Sequence, residues 1–300
     1  MNSLVELEDV VKIYEIGEGI EVKALQRVNL IVNRGELLAI MGPSGGGKST
    51  LLNMIGGLDN PTSGRIIIDG VDITNLGEGE LARFRRERIG FVFQFYNLVP
   101  ILTALENVEL PMVFAGKLST KEITERAKSL LDLVELSDRL HHRPNQLSGG
   151  QQQRVAIARA LANEPAIVIA DEPTGNVDQE TGAKIIRFFQ HLNKLLNQTF
   201  ILVTHDPIVS KSSKRIVYMM DGKIDIKPPG RNRKTSKEVL VEERRRLLLA
   251  EVKWLMASLT NLEESKDNLK PELYMKFKED YVKQLKQIKQ AVKAFQKEGT

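Results

Sequence analysis

Four short apolar runs, spread over the first 225 residues, set the strongest limit on what this chain can fold into. They are ELLAIMG, IGFVFQ, AIVIADE and TFILVTHD, at 36–42, 89–94, 166–172 and 199–206. Each is rich in β-branched or aromatic residues, which is typical of strands buried in a parallel sheet. Helical patterns separate them, at 48–57, 120–135, 151–162 and 179–196. The alternation predicts an α/β fold, with residues 3–13 and 65–70 as antiparallel strands at one side.

Polar or glycine residues end each apolar run. They are Gly42, Gln94, the pair Asp171 and Glu172, and Thr204 followed by His205 and Asp206. Open α/β sheets bind ligands beyond the carboxyl ends of their strands. These four strand ends therefore predict one shared site.

The segment GPSGGGKST (42–50) follows the first apolar run and precedes a helical pattern. It matches G-x-x-x-x-G-K-[ST], in which glycines let successive N–H groups wrap a polyphosphate at a helix N-terminus. Lys48 would reach the β- and γ-phosphates, and Ser49 would bind Mg²⁺. A glycine-rich turn with a chance lysine is the alternative, which the flanking strand and helix disfavour. The predicted binding residues are Gly42, Pro43, Ser44, Gly45, Gly46, Gly47, Lys48, Ser49 and Thr50.

The third apolar run ends in two carboxylates. Asp171 at a strand end suits a group that holds the Mg²⁺ shell, and Glu172 could activate the attacking water. The alternative is an acid pair that only favours a helix dipole. The phosphate loop in the same chain favours the catalytic interpretation.

Gln94, His205 and Tyr14 give weaker signals one by one. A Gln at a strand end is usually a hydrogen-bonding terminus, and a His before Asp-Pro is more often structural. Their place beside the predicted site favours a role for Gln94 and His205. Tyr14 either packs in the core or stacks on a base, and its position alone leaves both open.

The segment NQLSGGQQQRV (145–155) contains no His, Asp, Glu or Cys. A serine hydroxyl and glycine N–H groups at the start of a helix form an anion site, by the same physics as the phosphate loop. One chain would thus carry two phosphate sites for one nucleotide.

The first ~225 residues resemble the nucleotide-binding subunit of an ABC transporter. The resemblance rests on GPSGGGKST, Gln94, LSGGQ (147–151), ADEPTGNVD (170–178) and THD (204–206). MGPSGGGKSTLLNMIGGLDNPTSG, ENVELP and SGGQQQRVAIARAL look like the MacB/LolD-type branch, whose permeases are FtsX-like. Gly46 stands where Ser is commoner and Val177 where Leu is commoner, and neither change removes a chemical group.

The resemblance implies a P-loop NTPase fold with an antiparallel β subdomain and a helical subdomain at about 95–165. It implies ATP and Mg²⁺, with Tyr14 stacking on adenine, Glu172 as base and His205 on the γ-phosphate. The implied metal ligands are Ser49, Gln94 and Asp171. The head-to-tail homodimer of the family would place Ser148, Gly149, Gly150, Gln151 and Asp178 at the nucleotide of the other subunit.

The implied function is an ATPase that powers a separate membrane permease, for export, lipoprotein release or mechanotransmission. It would lie in the cytoplasm, peripheral on the inner face of the membrane, with FYNLVPILTALENVELPM (95–112) near the permease. One alternative is control of a cell-wall hydrolase through an FtsX-like permease. A soluble ABC ATPase acting on nucleic acid is another, but such proteins usually have two ATPase domains or a coiled-coil insertion. We therefore expect no nucleic-acid partner.

The tail lies outside the resemblance. KPPGRNRKTS (227–236) reads as a linker between the ATPase domain (1–226) and a helical hairpin (237–300) with two apolar stripes. Residues 228–300 hold 17 Lys and Arg against 11 Asp and Glu, so this segment is basic and the remainder slightly acidic. The hairpin could pack on its own domain, form a dimer or permease contact, or touch anionic lipid headgroups.

Overall fold

The computed structural model describes residues 3–15, 21–204 and 213–225, and six positions near the C-terminus (275, 278, 279, 282, 283 and 286). The chain divides into two compact units, Met1–Gly230 and Arg231–Thr300. The six positions of the second unit are helical. The rest of the predicted hairpin and the predicted linker lie outside the described residues, so their roles stay predictions.

A six-stranded sheet in the order β10-β9-β3-β8-β7-β6 forms the centre of the first unit. Five neighbouring strands, β9, β3, β8, β7 and β6, run parallel to one another, and β10 is antiparallel to β9. The four predicted buried runs are therefore confirmed as four neighbouring parallel strands. The bounds are β3 (Leu37–Met41), β6 (Ile89–Val92), β7 (Ile167–Asp171), β8 (Thr199–Thr204), β9 (Arg215–Met220) and β10 (Lys223–Asp225).

The central strands are apolar at successive positions because both faces of the sheet are covered. Phe200 and Leu202 on β8 pack in one apolar cluster with the helices between β6 and β7. Ile201 and Val203 point the other way, into a second cluster with the antiparallel sheet. Successive side chains of a strand alternate between faces, so a strand that lies between two apolar cores needs apolar residues at successive positions.

A four-stranded antiparallel sheet, in the order β2-β1-β4-β5, covers the second of these faces. The two antiparallel strands expected near the start of the chain are confirmed, with Val5 opposite Ile68. Strand β2 is not among the predicted strands, although its Val28, Leu30 and Val32 are buried at every second position. The bounds are β1 (Ser3–Glu15), β2 (Glu21–Asn33), β4 (Ser63–Ile68) and β5 (Val71–Asp72).

The segment between β6 and β7 contains only helical elements. Its three α-helices begin at capping boxes, Thr103 with Glu106, Ser119 with Glu122 and Ser148 with Gln151. Helices α2 and α3 were not among the predicted helical patterns: α2 is highly charged and α3 contains Pro111. The bounds are α1 (Lys48–Ile55), α2 (Glu78–Arg88), α3 (Ala104–Ala115), α4 (Thr120–Leu133), α5 (Gly149–Leu161) and α6 (Gln179–Leu196), with 3-10 turns at Ser137–Arg139 and Pro144–Gln146.

Within the part of the chain that is described, no helix combines the length and apolar character needed to cross a bilayer.

Candidate active site

The strand ends converge as the sequence predicts. Val92 pairs with Ala170, Asp171 with Val203, and Met41 with Thr204. The carboxyl ends of β3, β6, β7 and β8 therefore lie along one edge of the sheet. Residue His205 and the rest of segment 205–212 lie outside the described residues, so its predicted phosphate contact stays a prediction.

The phosphate loop turns sharply between β3 and α1. Gly45 and Gly47 have φ of +78° and +99°, in the left-handed region that favours glycine. A Cβ at Gly42 would lie 1.9 Å from the Met219 carbonyl oxygen on β9, and one at Gly47 would lie 2.6 Å from the Ala24 oxygen on β2. Strands of both sheets thus clamp the loop and define its curvature.

Lys48 begins α1 and is 7% exposed, the one charged residue among the six buried polar or charged residues of the described part of the chain. Its ammonium donates to the Gly42 oxygen at 2.8 Å and the Pro43 oxygen at 2.9 Å. A buried cation needs such partners, because leaving it unpaired costs several kcal/mol. The ammonium thus lies inside the curve of the loop.

Ser49 and Asp171 bring two oxygen ligands together. The Ser49 hydroxyl donates to Asp171 Oδ2 at 3.5 Å. Burial raises the pKa of the Asp171 carboxyl, and the negative charge of Glu172 adds to this, while Lys48 and the Ser49 hydrogen bond act in the opposite direction. A bound cation would relieve this repulsion between the two carboxylates.

Glu172 has a left-handed backbone, with φ of +44°. Its N–H donates to the Val203 oxygen on β8, and Gly175 N–H donates back to the Glu172 oxygen. Such strain costs about 1–3 kcal/mol and concentrates at functional sites. Helix α6 begins only at Gln179, so the alternative of an acid pair in a first helical turn does not apply.

Gln94 is joined to the loop that follows β7. Asn176 Nδ2 donates to the Gln94 backbone oxygen at 2.9 Å, and Gln94 Nε2 lies 3.4 Å from Asn176 Oδ1. Tyr96 Oη donates to the Asn176 oxygen at 3.2 Å. Arg159, on α5, donates to the carbonyl oxygens of Tyr96 and Asn97. No local sequence pattern marks Asn176, Tyr96 and Arg159, since their roles depend on contacts distant in sequence.

The LSGGQ segment (147–151) starts α5 with a capping box. Ser148 Oγ accepts from Gln151 N–H at 3.3 Å, and Gln151 Oε1 accepts from Ser148 N–H at 2.8 Å. A Cβ on Gly149 would lie 2.8 Å from Tyr96 Oη, and one on Gly150 would lie 2.5 Å from the Thr181 methyl group. The two glycines therefore also permit close packing on Tyr96, in the loop after Gln94, and on Thr181 of α6. The S-x-x-Q pattern of Ser148 and Gln151 is the sequence signal for this capping box.

Asp178 caps α6 in a similar way. Its carboxylate accepts from Thr181 N–H at 3.0 Å and from the Thr181 hydroxyl at 2.6 Å. The hydrogen bond from the Thr181 side chain lowers the pKa of Asp178, with the Thr181 N–H adding to it. The residue thus has a structural role within its own chain besides the predicted one at a dimer interface.

Tyr14 lies near the end of β1, partly exposed, and not in the core. Its hydroxyl donates to Asp59 Oδ2 at 2.8 Å. This hydrogen bond joins Tyr14 to the segment that follows α1.

Comparison with known proteins agrees with this geometry. A family model described as ABC transporter matches residues 25–175. The lipoprotein-releasing system ATP-binding protein LolD 1 of Chlorobium chlorochromatii is 48% identical over 223 residues, which cover 74% of this chain and 91% of that protein. The macrolide export ATP-binding/permease protein MacB of Syntrophobacter fumaroxidans is 49% identical over 223 residues, which cover 74% of this chain and 31% of that longer protein.

A solved structure resembles the first unit. It is the dimeric post-hydrolysis state of the ATP-binding cassette MJ0796, bound to ADP and Pi, from Methanocaldococcus jannaschii. The sequence identity is 50%, the TM-score is 0.68, and the match covers 74% of this chain and 97% of that one. The chain therefore belongs to the ABC transporter family, as an ATP-binding and ATP-hydrolysing domain of LolD/MacB type.

Proposed function

We propose that the site at the sheet edge binds Mg²⁺-ATP and that Glu172 is the base of hydrolysis. The observation that carries this proposal is the convergence of four groups at one edge of the sheet. The buried Lys48 ammonium lies within the phosphate loop, and the Ser49 hydroxyl at the start of α1 lies 3.5 Å from the Asp171 carboxylate at the end of β7. Glu172 is the next residue along the chain.

The donor set suits magnesium. Ser49 and Asp171 supply a hydroxyl and a carboxylate oxygen 3.5 Å apart, and Mg²⁺ prefers such hard oxygen ligands together with phosphate oxygens. Gln94 would add an amide oxygen from the end of β6. When bound, the ion would neutralise charge on the phosphates and help to orient them.

The residues of the site divide the chemistry between them. Lys48 and the backbone N–H groups of the loop hold the β- and γ-phosphates. Glu172 accepts a proton from the water whose oxygen attacks the γ-phosphorus, and the bond to the leaving β-phosphate oxygen breaks. His205 would donate to the γ-phosphate, and Tyr14 would stack on adenine.

ATP would close two subunits head to tail. Ser148 accepts a hydrogen bond as the cap of α5, so its own O–H stays a donor toward a phosphate. The N–H groups at Gly149 and Gly150 begin the helix, where anions bind. Support also comes from MJ0796, which was solved as a dimer. Asp178 and Gln151 would lie at the same interface.

A groove of about 530 Å³ offers a contact for a permease. Residues of α2, β6, α3 and α5 line it, including the 66% exposed Phe114 on α3 and Arg159 on α5. Arg159 also donates to the backbone oxygens of Tyr96 and Asn97, in the loop that follows Gln94. A partner in the groove would therefore contact a residue that holds this loop in place beside the site. We infer that the groove binds a cytoplasmic segment of a permease and thereby holds the chain at the inner face of the membrane.

The relatives favour export or lipoprotein release as the process served. LolD 1 carries a lipoprotein-releasing name, and MacB a macrolide-export name. Neither name concerns a cell-wall hydrolase, so the hydrolase alternative has less support than transport.

Replacing Glu172 with Gln tests the proposed base. Gln keeps the shape of the side chain but does not accept the proton, so turnover should fall by about 10²- to 10⁴-fold while ATP still binds. Steady-state phosphate release and calorimetric ATP binding measure the two effects. Glu164→Gln is the control, because Glu164 also has a left-handed backbone (φ +51°) but pairs with Arg126 at the surface. Turnover equal to that of the wild type in Glu172→Gln would refute the role of Glu172.

A further inference from the structure

Three side chains from β1 and the segment after α1 form a compact cluster at the end of the antiparallel sheet. Lys12 Nζ donates to Asp59 Oδ1 at 2.6 Å and to the Asn60 oxygen at 2.7 Å. Tyr14 Oη donates to Asp59 Oδ2 at 2.8 Å. Asp59 thus uses one carboxylate oxygen for Lys12 and the other for Tyr14.

The same cluster includes one face of the Tyr14 ring. Lys12 Nζ lies 4.8 Å from the ring centroid, within the range of a cation–π contact. The Lys12 side chain is only 13% exposed and that of Asp59 31%. The ammonium is therefore held in place by Asp59 and Asn60, and covers one ring face.

The charges that this arrangement needs are present at neutral pH. Burial raises the pKa of Tyr14, and the hydrogen bond and charge of Asp59 raise it further, so the phenol keeps the proton it donates. Burial by itself would raise the pKa of Asp59, but the hydrogen bonds from Lys12 and Tyr14 lower it overall. Asp59 is therefore an ionised acceptor.

The segment that carries Asp59 is fastened to β1 by further bonds. Ile13 N–H donates to Thr62 Oγ1 at 3.0 Å, and Thr62 N–H donates to the Val11 oxygen at 2.8 Å. The orientation of the ring is thus set by Asp59 and Lys12, and the segment that carries Asp59 is itself fixed to β1.

We propose that Lys12 and Asp59 are positioning residues that hold Tyr14 as a preformed platform for the nucleotide base. The proposal rests on the ATP site proposed above and adds residues outside its phosphate-binding part. A ring fixed before binding loses little further freedom when a base stacks on it, so affinity is gained. The cation behind the ring also draws electron density from it, which favours an electron-rich purine on the opposite face.

Calorimetric binding of ATP and of inorganic tripolyphosphate separates the base platform from the phosphate site. Asp59→Ala and Lys12→Met should each weaken ATP binding by about 3- to 10-fold, the loss expected when one side chain must be ordered on binding. Tripolyphosphate affinity should stay at the wild-type value, since it has no base. Asp72→Ala is the control: it removes the 2.6 Å pair with Arg65 in the same sheet, and should leave ATP affinity unchanged.

A double-mutant cycle with Tyr14→Ala distinguishes positioning from general stabilisation. Asp59→Ala should weaken ATP binding in the wild type and have no further effect once Tyr14 is absent. An effect that persists without Tyr14, or an equal loss for ATP and tripolyphosphate, would overturn the proposal. Should Asp59→Ala fail to fold, Lys12→Met in both backgrounds gives the same test. A wild-type chain that binds neither ligand would instead refute the ATP site itself.

Discussion

At the scale of single residues, the glycines of the phosphate loop differ in what they permit. Gly42 passes so close to β9 that any Cβ would strike the Met219 backbone oxygen. Gly45 has a left-handed backbone, but nothing lies within 4 Å of where its Cβ would be. The sequence motif marks both positions, whereas the structure assigns a steric reason to one and a conformational reason to the other.

We expect Gly42→Ala to cost more stability than Gly45→Ala. Overpacking against backbone should lower the free energy of unfolding by about 3 kcal/mol at Gly42, whereas the left-handed conformation should cost about 1 kcal/mol at Gly45. Urea unfolding of the two variants beside the wild type measures both values. Equal losses would show that β9 does not restrict the loop at Gly42.

At the scale of elements, helix starts carry several of the functional positions. Ser148 and Asp178 cap α5 and α6, and the phosphate loop leads into α1. A helix start leaves N–H groups without partners inside the helix, so caps and anion sites share one location. The structural and the proposed functional roles of Ser148 are therefore compatible.

Ser148→Asp and Ser148→Asn form a matched pair for the proposed dimer contact. Asn, Asp and Ser cap helices about equally well, so both variants should unfold at wild-type temperature or slightly above. Only Asp places a negative charge against the γ-phosphate of the other subunit. In a Glu172→Gln background with ATP, we expect Ser148→Asn to dimerise and Ser148→Asp to stay monomeric by light scattering. Equal dimerisation of the two would argue against a phosphate contact at Ser148.

At the scale of the whole first unit, a series of hydrogen bonds links the groove beside β6 to the site at the sheet edge. Arg159 lines the groove and donates to the backbone of Tyr96 and Asn97, and Tyr96 contacts the Asn176 backbone. Asn176 in turn binds Gln94. A chain of direct contacts thus joins the proposed permease surface to a proposed Mg²⁺ ligand.

The Phe114→Asp substitution should abolish binding of the permease to this chain while leaving ATP binding unchanged. The new charge would lie in the groove, where an apolar partner segment would have to desolvate it. Affinity purification from detergent-solubilised membranes, with identification of the bound integral-membrane protein, gives the readout. Leu195→Asp is the control, because Leu195 is a 56% exposed apolar residue on α6, outside the groove lining. Retention of the same permease by Phe114→Asp would exclude this groove as its docking surface.

Local sequence determined those features that depend on neighbours in the chain. The sequence predicts the parallel strands because a strand with a core on both faces must be apolar throughout. It predicts the phosphate loop because the glycines and Lys48 act within nine residues. It predicts the roles of Asp171 and Glu172 because these carboxylates stand at the end of a buried strand.

Tertiary structure decided what depends on contacts between distant segments. Arg159 contacts Tyr96 and Asn97, which lie 63 and 62 residues away, and Asn176 contacts Gln94, 82 residues away. Asp59 binds Lys12 and Tyr14, which lie 47 and 45 residues away. No local sequence pattern marks such pairs. Helix α3 forms although it contains Pro111, because its capping box and its buried Leu105, Val108 and Met112 offset the proline. The sequence by itself determined which groups the site contains, whereas the packing of two sheets and a helical layer decided which residues hold those groups in place.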